Sequence, residues 1–246
     1  MSIQLDLSGQ TAFVTGSSRG IGAAIARCLR DAECAVYLHC SQDLSSAEAL
    51  AAEIGALGVI QADLSTDTGI DSVRDRLSET RLDILVNNAG VWRHTPLGGT
   101  DRQLFDSVVA LNMRSVFLLT QELLGSMRDG GRIVNISSVA GKTASAEGRS
   151  VYRASKAAVD SFTRNWALEL APRRILVNAV APGMVESDMT REHLKQPQVE
   201  ANLRARHPLG KFADTNEIAE VVLFLCSRAA RFITGQVINV SGGFVI

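Results

Sequence analysis

The stretch "TAFVTGSSRGIGAAIARCL" (Thr11–Leu29) falls into three parts. "TAFVTG" is a short run rich in β-branched and aromatic residues, as a buried strand is. Gly16, Gly20 and Gly22 then set a G-x-x-x-G-x-G turn, and from Ile21 onward small and large apolar residues recur at helical spacing. A strand, a glycine turn and a helix in this order let the backbone come close to a pyrophosphate and aim a helix N-terminus at its charge. Taken alone, an ordinary βα turn that needs positive φ would read the same way. No Walker lysine accompanies the glycines, so a nucleoside triphosphate loop fits poorly.

Outward from this unit the same alternation repeats. "AVYLHC" (35–40), "VIQADL" (59–64), "ILVNNAG" (84–90), "RIVNIS" (132–137), "ILVNAVAPG" (175–183) and "VINVSGG" (237–243) read as further strands, apolar on both faces like buried parallel strands. Helical patterns lie between them, among them "SAEALAAEIGAL", one long run "QLFDSVVALNMRSVFLLTQELLGSM", and "TNEIAEVVLFLCS". Strand–helix alternation over the whole length predicts an α/β fold, a doubly wound Rossmann-type parallel sheet of about seven strands with helices on both faces. No linker or composition shift divides the chain, so we expect one domain over 1–246. Glu186–Lys211 is the one long polar, non-periodic segment. It follows a strand's carboxyl end, where such sheets bind ligands, and reads as a substrate lid.

Composition narrows the function classes. The net charge of −1 gives no bulk field for nucleic acid or an acidic membrane. Cys28, Cys34, Cys40 and Cys226 form no Cys-x-x-Cys pair, and His39, His94, His193 and His207 form no ligand cluster, so no metal is expected. His39 reads as structural. The N-terminus lacks a basic segment followed by an apolar run, and no apolar run is long enough to span a bilayer. A cytoplasmic location with reduced thiols is the expectation.

An NAD site puts an acid at the end of the second strand. Here that strand ends in Cys40, followed by Ser41 and Gln42, and Asp43 comes too late. Arg19 in the glycine turn would pair with a 2′-phosphate and Ser41 would add a hydrogen bond, which favours NADP(H) while leaving NAD(H) open. Arg19 is equally readable as a solvated loop arginine.

The chain has two tyrosines, and one of them, Tyr152, sits four residues before Lys156 in "SVYRASKAAVDSF". Residues i and i+4 share one helix face, and a cationic lysine favours a nearby phenolate. Such a phenol suits general acid–base work. The same spacing also occurs where a lysine stem merely packs on a ring. The preceding strand ends in Ser137-Ser138 at the ligand edge, where a hydroxyl would bond a substrate carbonyl or simply close a turn.

These segments in this order, "TGSSRGIG" (15–22), "ADL" (62–64), "NNAG" (87–90), "LNMRSVF" (111–117), "NISS" (135–138), "YRASK" (152–156) and "VNAVAPGMVESDMT" (177–190), resemble a short-chain dehydrogenase/reductase along nearly the whole length. "PLGKFADTNEIAEVVLFLCS" and "ITGQVINVSGG" extend the likeness to the end, and within the family it is most similar to 3-oxoacyl-[acyl-carrier-protein] reductases. The resemblance implies a catalytic set of Asn112, Ser138, Tyr152 and Lys156. Tyr152 is the acid/base, Lys156 lowers its pKa and holds the nicotinamide ribose, Ser138 positions the carbonyl, and Asn112 anchors a water in a proton relay. It implies cofactor contacts from Gly16, Ser18, Arg19, Gly20, Ile21 and Gly22 at the phosphates, and from Asp63 and Leu64 beside the adenine. Asn88 and Gly90 form the floor, and Pro182, Gly183, Val185 and Ser187 lie around the nicotinamide. Independently, asparagine is a poor interior helix residue, so Asn112 marks either a site or a kink.

Two departures stand out. Ser138 and Tyr152 are slightly further apart than in the family, so "AGKTASAEGRS" carries an inserted residue beside the substrate pocket. Ser241 replaces a more usual acid or amide. The resemblance implies a ketone or secondary alcohol as substrate, free or bound to a carrier protein, and a homotetramer. Arg128, Arg173 and Arg174 would serve an acidic carrier or be plain surface arginines. A sugar, polyol or cyclic-alcohol dehydrogenase, or a non-catalytic nucleotide-binding regulator, are the alternatives. Trp92 and His94 in "VWRHTPLGG" are offered to the pocket without naming a substrate.

Overall fold

The computed structural model describes residues 5–145, 148–186, 190 and 197–245. Seven strands form one parallel sheet: β1 Thr11–Val14, β2 Ala35–Cys40, β3 Gly58–Gln61, β4 Leu82–Asn87, β5 Met127–Ile136, β6 Leu176–Pro182 and β7 Val237–Val240. Their order is β3-β2-β1-β4-β5-β6-β7, so the chain reverses direction across the sheet between β1 and β4. That reversal opens a crevice at the strands' carboxyl ends.

Among the described residues the α-helices are α1 Gly20–Asp31, α2 Leu44–Ile54, α3 Asp67–Leu77, α4 Arg102–Val109, α5 Ser115–Leu123, α6 Ser150–Glu169, α7 Pro197–Ala205 and α8 Thr215–Cys226. On one sheet face Ile25 and Leu29 of α1, Leu50 of α2 and Ile218, Val222 and Leu225 of α8 bury against Val14, Val36, Ile84 and Val86. On the other, Ile70, Val73 and Leu77 of α3, Leu119 and Leu123 of α5 and Val159 and Trp166 of α6 cover Phe13, Leu85, Ile133 and Val177. The central strands are thus buried on both sides, which is why they read as continuously apolar, while the edge strands β3 and β7 are only partly covered.

The structure departs from the sequence expectation in three places. α3 has only Ile70, Val73 and Leu77 as large apolar anchors among polar and charged residues, too few to stand out as a period. The long run from 103 to 127 is broken by a π-helical turn, Ala110–Arg114, between α4 and α5. The segment Glu186–Lys211 is not wholly irregular. Pro197 starts α7, where a missing N–H does no harm, and Glu200 pairs with Arg204 one turn on at 2.8 Å. The rest of the expected lid, including Ser187, lies outside the described residues. Among the described residues no helix is long and apolar enough to cross a membrane.

Candidate active site

A cleft of about 850 Å³ runs along the carboxyl ends of the strands. Every described residue of the expected site lines it except Asn112. The common cause is topological: Gly16 follows β1, Ser41 β2, Asp63 β3, Gly90 β4, Ser138 β5 and Gly183 β6.

The glycine turn is shaped by close contact. Gly16 has φ +62, and a Cβ on Gly22 would lie 2.3 Å from the Gly16 carbonyl oxygen and 2.5 Å from Asn88 Nδ2. Only glycine fits there. Asn88 fixes the turn from below, its amide donating to the carbonyls of Thr15 at 2.8 Å and Gly16 at 3.0 Å. His39 fixes it from the side. Its Nδ1 accepts from the Gly16 N–H at 3.0 Å, and its Nε2 contacts the Ala62 carbonyl at 3.1 Å. Burial pushes its pKa down to about 4, so the ring is neutral, Nε2 bears the proton and donates to Ala62, and Nδ1 is the acceptor. α1 then begins at Gly20 without a side-chain cap and with no acid in its first turn. Its first N–H groups face the cleft as an anion site.

Arg19 and Ser41 are exposed at this end. Asp43, the acid nearest the end of β2, is committed to capping α2: its carboxylate accepts from the Ser46 N–H at 3.1 Å and the Ser45 hydroxyl at 3.2 Å. Asp63 holds Ser65 through one carboxylate oxygen, at 2.9 Å to the N–H and 2.7 Å to the hydroxyl.

Tyr152 and Lys156 face the cleft from α6, with the lysine Nζ 5.9 Å from the centre of the tyrosine ring. Lys156 is buried and donates to the Ile136 carbonyl at 2.8 Å. Ser138 stands in extended backbone at the end of β5, its hydroxyl accepting from the Ala140 N–H at 3.1 Å. It also faces the Tyr152 phenol and favours its ionised form. The expected lowering of the phenol by Lys156 is not what dominates. Burial raises the Tyr152 pKa, opposed first by the Ser138 hydroxyl and then by the charges of Arg153 and Arg149. Burial also lowers Lys156 to about 8, opposed by Asp160 one turn further along.

Asn112 is fully buried behind Gly90, in the π turn. Its Oδ1 accepts from the Val91 N–H at 2.8 Å, and its Nδ2 donates to the Val91 carbonyl at 2.8 Å and to Ser155 Oγ at 3.3 Å. The side chain is therefore a clasp on the loop after β4 and does not reach the cleft. The extra backbone residue of the π turn gives an otherwise ill-suited asparagine its place, as such turns do at functional sites.

Several residues escaped the sequence reading. Asn87 donates to Thr120 and to Asn135 at 2.9 Å each, and Asn135 donates to Thr163 at 2.9 Å, a buried ladder that locks β4 and β5 to α5 and α6. "NNAG" and "NISS" both open on these asparagines, so the signal was present. Asp160, buried, accepts a hydrogen bond from Ser137. Phe244 and Val245 reach the cleft because Ser241 Oγ holds the Val245 N–H at 3.4 Å and carbonyl at 3.3 Å. Ser241 also packs on Gly183, whose added Cβ would lie 3.0 Å from it, so the departure at Ser241 has a packing reason.

Comparison with known proteins shows the family and the fold. The family described as enoyl-(acyl carrier protein) reductase matches residues 16–245. A 3-oxoacyl-[acyl-carrier-protein] reductase from Aquifex aeolicus is 40% identical over 250 residues, covering 98% of this chain and 99% of that protein. The chain belongs to the short-chain dehydrogenase/reductase family. As a member it is an NAD(P)-dependent oxidoreductase. Among solved structures, the RhlG/NADP active-site complex of Pseudomonas aeruginosa superposes with a TM-score of 0.92 at 36% identity, covering 99% of each chain. The angucycline C-6 ketoreductase LanV with bound NADP gives 0.90 at 36%, covering 97% of this chain and 96% of that one.

Proposed function

We propose that this dehydrogenase/reductase transfers a hydride between NADP(H) and a ketone or secondary alcohol, with Tyr152 as proton donor and acceptor. The observation that carries the reading is that one cleft holds an uncapped, acid-free helix N-terminus and, beyond it, Ser138, Tyr152 and Lys156. The fit to a dinucleotide rests on the uncapped N–H groups of α1 that line the cleft and on the open space at Gly20, where an added Cβ would meet nothing within 4 Å. When bound, the nicotinamide supplies or takes the hydride, which no side chain can do. The N–H groups of the glycine turn would hold the pyrophosphate, with Arg19 and Ser41 toward a 2′-phosphate. The commitment of Asp43 to α2 and the NADP complexes of the relatives favour NADP(H) over NAD(H). Lys156 would hold the ribose and Gly183 and Val185 the nicotinamide side. Ser138 donates to the substrate oxygen while Tyr152 delivers the proton there.

The finer substrate is a 3-oxoacyl thioester on an acyl carrier protein, supported by the relatives' names. The arginines expected to greet such a carrier are partly engaged: Arg173 with Asp129 at 2.8 Å and Arg128 with Asp83 at 3.6 Å, leaving Arg174 exposed. We also propose a homotetramer joined through α5 and α6, where exposed Phe117 lies 5.5 Å from Phe162 and 5.9 Å from Trp166. Light scattering at the mass of one chain would refute that.

Substituting Tyr152→Phe tests the chemistry. Turnover of acetoacetyl thioesters with NADPH should fall about 10²- to 10⁴-fold, while NADPH binding read by fluorescence stays. Undiminished turnover removes Tyr152 from the mechanism.

A further inference from the structure

Arg153 follows Tyr152 directly and lines the same cleft. Its Nη1 is fully used, donating to the Thr143 carbonyl at 3.0 Å, the Thr143 hydroxyl at 2.7 Å and the Ala140 carbonyl at 3.4 Å. These contacts fix the guanidinium plane against the loop that carries the inserted residue. The opposite edge is bare. Nε is buried with no hydrogen-bond partner, and Nη2 has none either. An Nε–Nη2 edge is the geometry that grips a carboxylate through two parallel hydrogen bonds. A buried donor left unsatisfied is unfavourable, and a carboxylate oxygen would satisfy it.

The surrounding charge points the same way. Among the described residues lining the cleft Asp63 is the only acid, and it lies at the end of β3 with Ser65. Around Tyr152 the charges are positive: both Arg153 and Arg149 bear on its phenol. A chain of net charge −1 thus concentrates cations where its substrate must sit.

We propose that Arg153 binds a carboxylate of the substrate, so that the compounds interconverted here are oxo and hydroxy acids, free or as thioesters bearing a second, terminal carboxylate. The proposal rests on the hydride-transfer reading of the cleft and narrows its substrate class. Staple and anchor coexist in one side chain: Nη1 sets the loop, and the free edge reads the substrate.

The test uses pairs that differ in the carboxylate alone: 3-oxoadipyl against 3-oxohexanoyl N-acetylcysteamine thioesters, and levulinate against methyl levulinate, with NADPH. In at least one pair, kcat/KM should favour the carboxylate member by about 10- to 100-fold. Arg153→Gln should erase that preference through KM, with a clearly smaller loss on the neutral member, whose loss would report the charge of Arg153 on the Tyr152 phenol. Arg153→Lys, which keeps the charge and a donor for Thr143 but loses the fork, should fall between. No preference in the wild-type protein, or equal losses on both members, would overturn the proposal and leave Arg153 a loop staple. Calorimetric titration of levulinate into the protein with NADP⁺ separates the two readings. Binding lost in Arg153→Gln without turnover of any pair would sink hydride transfer and keep the anion site. Binding absent, or unchanged by the substitution, would sink the anion site alone.

Discussion

Between the ends of β1 and β4 the wall of the cleft is backbone. Gly16, Gly20 and Gly22 bring the main chain to the surface, α1 offers uncapped N–H groups, and Asn88 and His39 hold the turn through backbone partners. Between β5 and α7 the wall is side chain: Arg149 just before α6, Tyr152 and Arg153 from α6, Leu203 from α7, His207 beyond it and Phe244 from the tail. A backbone wall serves one ligand shape and tolerates few sequences. A side-chain wall can be rewritten position by position without disturbing the sheet beneath it. The helix caps follow a different line. α2, α3, α4 and α8 are capped by Asp43, Thr66, Asp101 and Asp214, whereas α1 and α6, one from each wall of the cleft, have no side-chain cap, and neither does α5, which continues from the π turn.

Breaking the backbone wall should have the largest effect. Gly22→Val places a side chain where even a Cβ would lie 2.3 Å from the Gly16 oxygen, so either the turn or α1 must move. NADPH affinity, read by fluorescence titration, should drop by more than about 100-fold, and overpacking should cost about 1–3 kcal/mol of stability. Near-native affinity would show that the turn is not the dinucleotide floor.

The support under that wall has its own pH signature. His39 is held at about 4 in the fold against 6.5 for a free histidine. Between those values the unfolded chain binds the proton and the folded chain does not, so stability falls as pH drops from 6.5 towards 4. The loss approaches roughly 3 kcal/mol. Urea unfolding across this window should show that loss in the wild-type protein and less of it in His39→Gln; parallel curves would clear His39. A smaller effect belongs to Arg19. Arg19→Ala should weaken NADPH binding about tenfold and leave NADH nearly unchanged. Equal losses on both cofactors would place the arginine elsewhere than at a 2′-phosphate.

What the sequence disclosed follows the same line. The central strands and the glycine turn were legible because burial on two faces and close backbone approach each admit few residue types, and the edge strands because they repeat the same strand–helix alternation. Tyr152, Lys156 and Ser138 were legible through spacing and order. The π turn at Asn112 was not, because one extra backbone residue leaves no periodic trace in a long apolar run. α3 and α7 escaped because each shows little of its length as an apolar stripe. Arg153, Asp160 and Phe244 escaped for a different reason. Their significance lies in what meets them across the fold, and no local pattern encodes that Ser137 faces Asp160 or that Ser241 turns Phe244 inward.

Asp160 offers the finest distinction between scaffold and site. It is buried on the face of α6 that carries Lys156, takes the Ser137 hydroxyl, and so stands behind both Lys156 and the strand end presenting Ser138. Burial raises its own pKa, while the Ser137 hydrogen bond and the charges of Lys142, Arg164 and Lys156 favour its ionised form. Its negative charge in turn opposes the burial that lowers Lys156 to about 8. Asp160→Asn keeps a group able to bond Ser137 and removes the charge. Lys156 then loses its proton more readily, so the high-pH limb of the kcat/KM profile should move to lower pH, with kcat at the optimum little changed. A purely structural Asp160 would instead lower kcat/KM at every pH, or destabilise the fold, and leave the shape of the profile where it was.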